Sequence, residues 1–179
     1  MKTVFFDVDT QIDFLYPAGA LYVPGAEKLL PVLAALNQHA AAHGIPLIST
    51  VDAHTEDDPE FRQWPPHCVA GTAGQRKPSE TLVEGQIILE TQAIDCFTSP
   101  ELPAILERLG ADRYVVYGVV TEHCVRCAAL GLLKTGRRVE MVTDAVECLN
   151  EEAARRTFEE FTAAGGVLTT SAAVCTVQA

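Results

Sequence analysis

The chain has 179 residues, 48% of them hydrophobic and 21% charged, with a formal net charge of −11. This is the composition of a folded globule rather than a disordered chain, and an acidic surface repels phosphate backbones, which argues against nucleic acid as a partner. The longest wholly apolar run, Leu29 to Leu36, is about eight residues and contains a proline, far short of the roughly 18 that a membrane span needs.

The opening MKTVFFDVD reaches acidic residues too early for a secretory signal, so a cytoplasmic chain is expected, folding as a single domain over residues 1–179. In that setting the six cysteines (Cys68, Cys96, Cys124, Cys127, Cys148 and Cys175) are expected to be reduced. Cys124 and Cys127 form a C-x-x-C, but no second such pair exists to complete a zinc site.

The apolar pattern alternates short β-branched runs with helical stretches. Val4 to Val8 is predicted as the first strand. Ala26 to His43 repeats apolar residues at helical spacing and stops at Gly44. Strands follow at Pro46 to Val51 and Gln86 to Glu90. A helix over Ser99 to Leu109 has proline in its first turn and Gly110 after its end. Then come a strand at Tyr114 to Val120, a helix at His123 to Thr135, a strand at Arg138 to Thr143, a helix at Glu151 to Ala164 and a last strand at Gly166 to Thr169. Strands alternating with helices imply an α/β fold: a three-layer αβα, Rossmann-like central parallel β-sheet with helices on both faces. One irregular stretch of about thirty residues, Ala53 to Leu82, interrupts the pattern, and loops of that length are usually functional.

In open parallel sheets, ligands bind beyond the carboxyl ends of the strands. Asp9 follows the first strand, Asp52 and His54 follow the second, and Cys124 follows the Tyr114 strand at the start of a helix. Reactive groups far apart in sequence thus converge on one sheet edge. A thiol at a helix N-terminus has its thiolate favoured, and the free N–H groups there can hold an oxyanion. Asp9 is suited to take the thiol proton. Position alone also allows a packed core thiol for Cys124 and a turn-capping carboxylate for Asp9. Asp52-Ala53-His54 places a carboxylate and an imidazole on one side of an extended segment. His67 follows the stiff Trp64-Pro65-Pro66, with Glu60 nearby. Such a set suits a divalent metal (Zn, Fe or Mn), although a solvated acidic loop has the same composition.

These residues carry a resemblance. VDTQIDF (Val8 to Phe14), DAH (Asp52 to His54), WPPHC (Trp64 to Cys68) and GVVTEHCVRCAA (Gly118 to Ala129) resemble, in order and nearly end to end, the isochorismatase-like cysteine hydrolases, and among them the nicotinamidases. The resemblance implies Asp9 as catalytic base and Cys124 as nucleophile. It implies a cis peptide bond before Val120, with the N–H groups of Val120 and Cys124 as oxyanion hole. Asp52, His54, Glu60 and His67 would hold the metal, and Phe14 and Trp64 would flank the substrate ring. It further implies a small-molecule amide as substrate and a homo-oligomer.

One position departs from the pattern. Thr91 stands where the family carries a lysine. Of the four lysines, Lys77 is the one expected to reach the site, with Arg76 and Arg126 as other cationic substitutes. Three readings follow: a metal-assisted amidase, a weak or inactive binding protein of the same fold, and a phosphatase begun by the D-x-D at Asp7 and Asp9. Gln11 does not fit the third.

Overall fold

The structure, a computed structural model, describes residues 1–176. Its centre is β1 (Thr3–Val8), an apolar and β-branched run buried from Val4 onward. Burial on both faces is what an interior parallel strand requires, and it explains the absence of polar alternation. β2 (Leu47–Asp52) and β4 (Arg113–Val119) flank it, and each is buried throughout. With β3 (Ile87–Thr91), β5 (Arg138–Glu147) and β6 (Val167–Thr169) they form one sheet in the order β3-β2-β1-β4-β5-β6. Every neighbouring pair is parallel. The chain moves outward from β1 to β3, then returns to lay β4 on the other side of β1. That reversal is the switch point where such sheets open a crevice.

Side chains alternate across the sheet. Val4, Phe6 and Val8 point to one face, against α3 (Leu102–Leu109), α4 (Arg126–Leu133) and α5 (Glu151–Ala163), through Leu106, Leu132 and Phe161. Phe5 points to the other, against Leu33, Leu36 and Ala40 of α2 (Leu30–Ala42), with Val174 of α6 (Ser171–Thr176) in the same cluster. The three-layer αβα expectation is met. No helix among the described residues is long and apolar enough to cross a membrane.

Several predicted boundaries shift for local reasons. Pro31 sits in the first turn of α2, so the stretch from Ala26 opens as a 3₁₀ turn over Ala26–Leu29. β4 ends at Val119, and a π-turn over Thr121–Val125 precedes α4, so Cys124 lies in a wide turn rather than in regular helix. β5 runs four residues past Thr143 because it pairs again, after a register shift, with Gly118 and Val119. The helix predicted from Ser99 begins at Leu102. The short α1 (Ile12–Leu15) carries no periodicity long enough to see in sequence.

Gly118 is needed where it stands. At φ 122° a Cβ would lie 2.1 Å from the Val8 carbonyl oxygen, so only glycine lets β4 pass the end of β1 this closely.

The long segment between β2 and β3 is tied down rather than loose. Its backbone carbonyls at Gly74 and Arg76 accept from the N–H groups of Asp13 and Ile12 at 3.0 and 2.9 Å. Asp13 Oδ2 accepts from Cys68 N at 2.7 Å. Lys77 enters the core and pairs with the fully buried Asp7 at 2.8 Å. Asn37 Nδ2 and Ser49 Oγ also donate to Asp7 Oδ2, at 2.9 and 3.1 Å, and Thr10 Oγ1 donates to Oδ1 at 2.8 Å. The Lys77 ammonium also donates to Thr10 Oγ1. Removing one partner of such a pair strands the other charge. Lys77→Met is therefore expected to cost about 3–5 kcal/mol in urea denaturation, with much of the loss recovered when Asp7→Asn is added. Independent, additive effects of the two substitutions would contradict this.

Candidate active site

Asp9, Asp52, Thr91 and Val120 lie at or just past the carboxyl ends of β1, β2, β3 and β4, four adjacent strands. Asp9 turns sharply out of β1 with φ 49°, a left-handed conformation that non-glycine residues rarely hold. It is fixed there by two bonds from β2. The Thr50 carbonyl accepts from Asp9 N at 3.1 Å, and Thr50 Oγ1 donates to Asp9 Oδ1 at 2.6 Å. The carboxyl is 3% exposed. Burial, then the charge of Asp52, push it up to about 8.

The Cys124 side chain is a close neighbour of this carboxyl. Burial, with Asp9 and Asp52, pushes the thiol up as well. Both shifts favour the protonated forms, so the resting nucleophile is a thiol rather than a thiolate. The peptide bond between Val119 and Val120 is cis, and the π-turn that carries Cys124 begins directly after it.

None of the expected cationic substitutes joins the pair. Lys77 is committed to Asp7. Arg126 forms a two-pronged pair with Glu160, at 2.6 and 2.7 Å. Arg76 is exposed. Asp7, the first carboxylate of the phosphatase reading, faces α2 and the core on the other side of the sheet.

Beside the Asp9–Cys124 pair lies a cluster of donors. Ligand atoms of Asp52, His54 and His67, all buried, fall within 4.8 Å of one another. Asp52 Oδ2 stands 3.7 Å from His54 Nε2 and 3.9 Å from His67 Nε2. Glu60 Oε1 is also 3.9 Å from His67 Nε2, so the fourth expected ligand joins the cluster, half-buried. The imidazoles are pre-oriented. His54 Nδ1 is held by Asp58 Oδ2 at 3.0 Å and His67 Nδ1 by the Pro65 carbonyl at 2.8 Å. Each ring is left with Nε2 facing the cluster, the arrangement by which outer partners fix a metal-ligating histidine. His54 Nε2 is buried and has no hydrogen-bond partner, an uncommon and costly state for a ring nitrogen unless a cation receives it. Asp52, foremost, and Asp58 push His54 up to about 9 against the effect of burial. The donor set fits a divalent ion.

The same pocket is walled by Phe14, Trp64, Val120 and Cys124 with Asp52 and His67. Phe14 is 5% exposed and tilts against His67, with ring centroids 5.4 Å apart, so it serves both core and pocket. Trp64 meets His123 edge-on at 5.8 Å.

Three contributors escape sequence reading. Gln11 brackets Asp52, accepting from its N–H at 2.7 Å and donating to its carbonyl at 2.8 Å. Asp58 orients His54, and Thr50 holds Asp9. Gln11 lies inside VDTQIDF, which was the available signal. Asp58 is indistinguishable in sequence from its acidic neighbours.

The chain matches the Isochorismatase domain family over residues 3–173. The nicotinamidase/pyrazinamidase of Mycobacterium tuberculosis is 27% identical over 171 residues, covering 86% of this chain and 90% of that protein. The crystal structure of a pyrazinamidase of Pyrococcus horikoshii in complex with zinc superposes with a TM-score of 0.89 at 32% identity, covering 95% of this chain and 99% of that one. N-carbamoylsarcosine amidase from Thermoplasma acidophilum superposes with a TM-score of 0.84 at 28% identity, covering 96% and 97%. The chain belongs to the isochorismatase family, among its nicotinamidase-like amide hydrolases.

Proposed function

We propose that the chain is a metal-assisted cysteine amidohydrolase that converts nicotinamide, or a similar small flat amide, to the acid and ammonia. The observation that carries this is the half-buried Cys124, next to the buried Asp9, opening into a pocket that Asp52, Glu60 and His67 of the donor cluster also line.

Cys124 Sγ attacks the amide carbon while Asp9 takes the thiol proton. A carboxyl that titrates near the working pH suits both this step and the next, in which it returns the proton to the departing nitrogen. The N–H groups of Val120 and Cys124 receive the oxyanion. Loss of ammonia leaves a thioester, and a water, deprotonated by Asp9, releases the acid and restores the thiol. Asp52, His54 and His67, with Glu60, hold a divalent ion, which supplies a Lewis-acid anchor for a ring nitrogen or a water. Phe14 and Trp64 supply flat apolar walls, which favour a heteroaromatic amide over an extended one.

Ammonia release from nicotinamide by zinc-loaded protein tests the reading. Cys124→Ala is expected to lower the rate by at least about 10³-fold. Unchanged turnover of every small amide tried in that variant would sink the proposal. Stripping the ion with a chelator is expected to suppress release, and adding it back to restore it.

Asp9 carries a stability cost as well as a role. Its folded value of about 8 lies above the ordinary ~3.9, so the folded state holds this proton more tightly than the unfolded one. The carboxyl's destabilising effect therefore grows as pH rises from about 4 to about 8 and is constant above. Asp9→Asn keeps an acceptor for Thr50. It is expected to abolish turnover while raising the Tm of the metal-free protein, by a margin that widens across that pH range. A margin that stays flat from pH 4 to 8 would contradict the assignment.

A further inference from the structure

Thr91 ends β3 directly beside Asp52 in the β2–β3 register. Register partners present their side chains on one face of a sheet. The two are only 6% and 4% exposed, and the Thr91 carbonyl accepts from Ala53 N at 2.8 Å, which fixes the strand ends against each other. Thr91 Oγ1 donates to Asp52 Oδ1 at 3.3 Å. The other oxygen, Oδ2, is the one that faces His54 Nε2 and His67 Nε2. The two oxygens of one carboxylate are thus divided between a hydroxyl on one side and the imidazole pair on the other.

We infer that Thr91 is a positioning residue for the ligand Asp52: its hydroxyl holds Oδ1, so that Oδ2 is presented to the metal. The inference rests on the metal reading proposed above. A carboxylate's terminal torsion is soft, and either oxygen can ligate. A donor on one oxygen removes that freedom before the ion arrives, and outer partners of this kind are worth about 10–100-fold in metal affinity.

The test is zinc affinity, measured on the full chain by competition with a chromophoric chelator. Thr91→Val keeps the shape and removes the donor. It is expected to weaken zinc binding about 10–100-fold and leave the metal-free Tm unchanged, while Thr91→Ser restores most of the affinity. With Co²⁺ as probe, the visible spectrum of the Val variant is expected to change band shape or intensity, because the Asp52 carboxylate is free to turn. Zinc binding by Thr91→Val as tight as that of the parent, with an identical Co²⁺ spectrum, overturns the inference and leaves the metal reading intact. Zinc binding that survives His54→Ala undiminished overturns the metal reading and the role of Thr91 with it.

Discussion

The register of β1 between β2 and β4 governs the whole site. Val8 pairs with Thr50 on one side and with Gly118 on the other. The next residue, Asp9, is caught by the Thr50 backbone and hydroxyl, and the missing side chain at Gly118 lets β4 deliver the segment that leads to Cys124. A one-residue slip of β1 would turn Asp9 to the opposite face and end the contact with Cys124. The geometry of the site is a consequence of strand pairing before it is a matter of side-chain packing.

A second dependence runs through buried charge. The segment from Ala53 to Leu82 brings His54, Glu60, Trp64 and His67 to the pocket, and it has no α-helix to pin it. Its anchors are polar: Asp13 on Cys68, Gln11 on Asp52 and Gln75, and Lys77 on Asp7. Buried pairs of this sort cost desolvation, but each satisfied partner fixes the position of the segment that carries it. Lys77 is spent in this way, so the Asp9–Cys124 pair has no ammonium beside it. Burial first, and then the neighbouring carboxylates, raise both Asp9 and Cys124. A divalent ion is the chemical complement of such a pocket.

Much of this is legible in the chain. The β-branched runs and helical repeats suffice for a parallel three-layer fold, because two-sided burial leaves a continuous apolar imprint on each central strand. The residues after those runs, Asp9, Asp52, His54 and Cys124, could be assigned to one edge because parallel strands all end on the same side. The motif VDTQIDF, the DAH and WPPHC segments and the cysteine segment together point to the family.

Tertiary structure decided the remainder. Whether Lys77 would reach Cys124 or Asp7 depends on the path of a loop without periodicity, and sequence spacing carries no such path. That Asp58 rather than Glu56 or Asp57 orients His54 depends on a 3₁₀ turn whose acids look alike in sequence. Thr91 reads in the sequence as a missing lysine. In the fold it is the neighbour of Asp52, because the β2–β3 register, set by long-range pairing, brings together two residues that are 39 positions apart. Local pattern determined the elements and the chemical inventory. Pairing between distant strands decided which of those groups touch, since contact energies between remote residues leave no trace in either one's immediate neighbours.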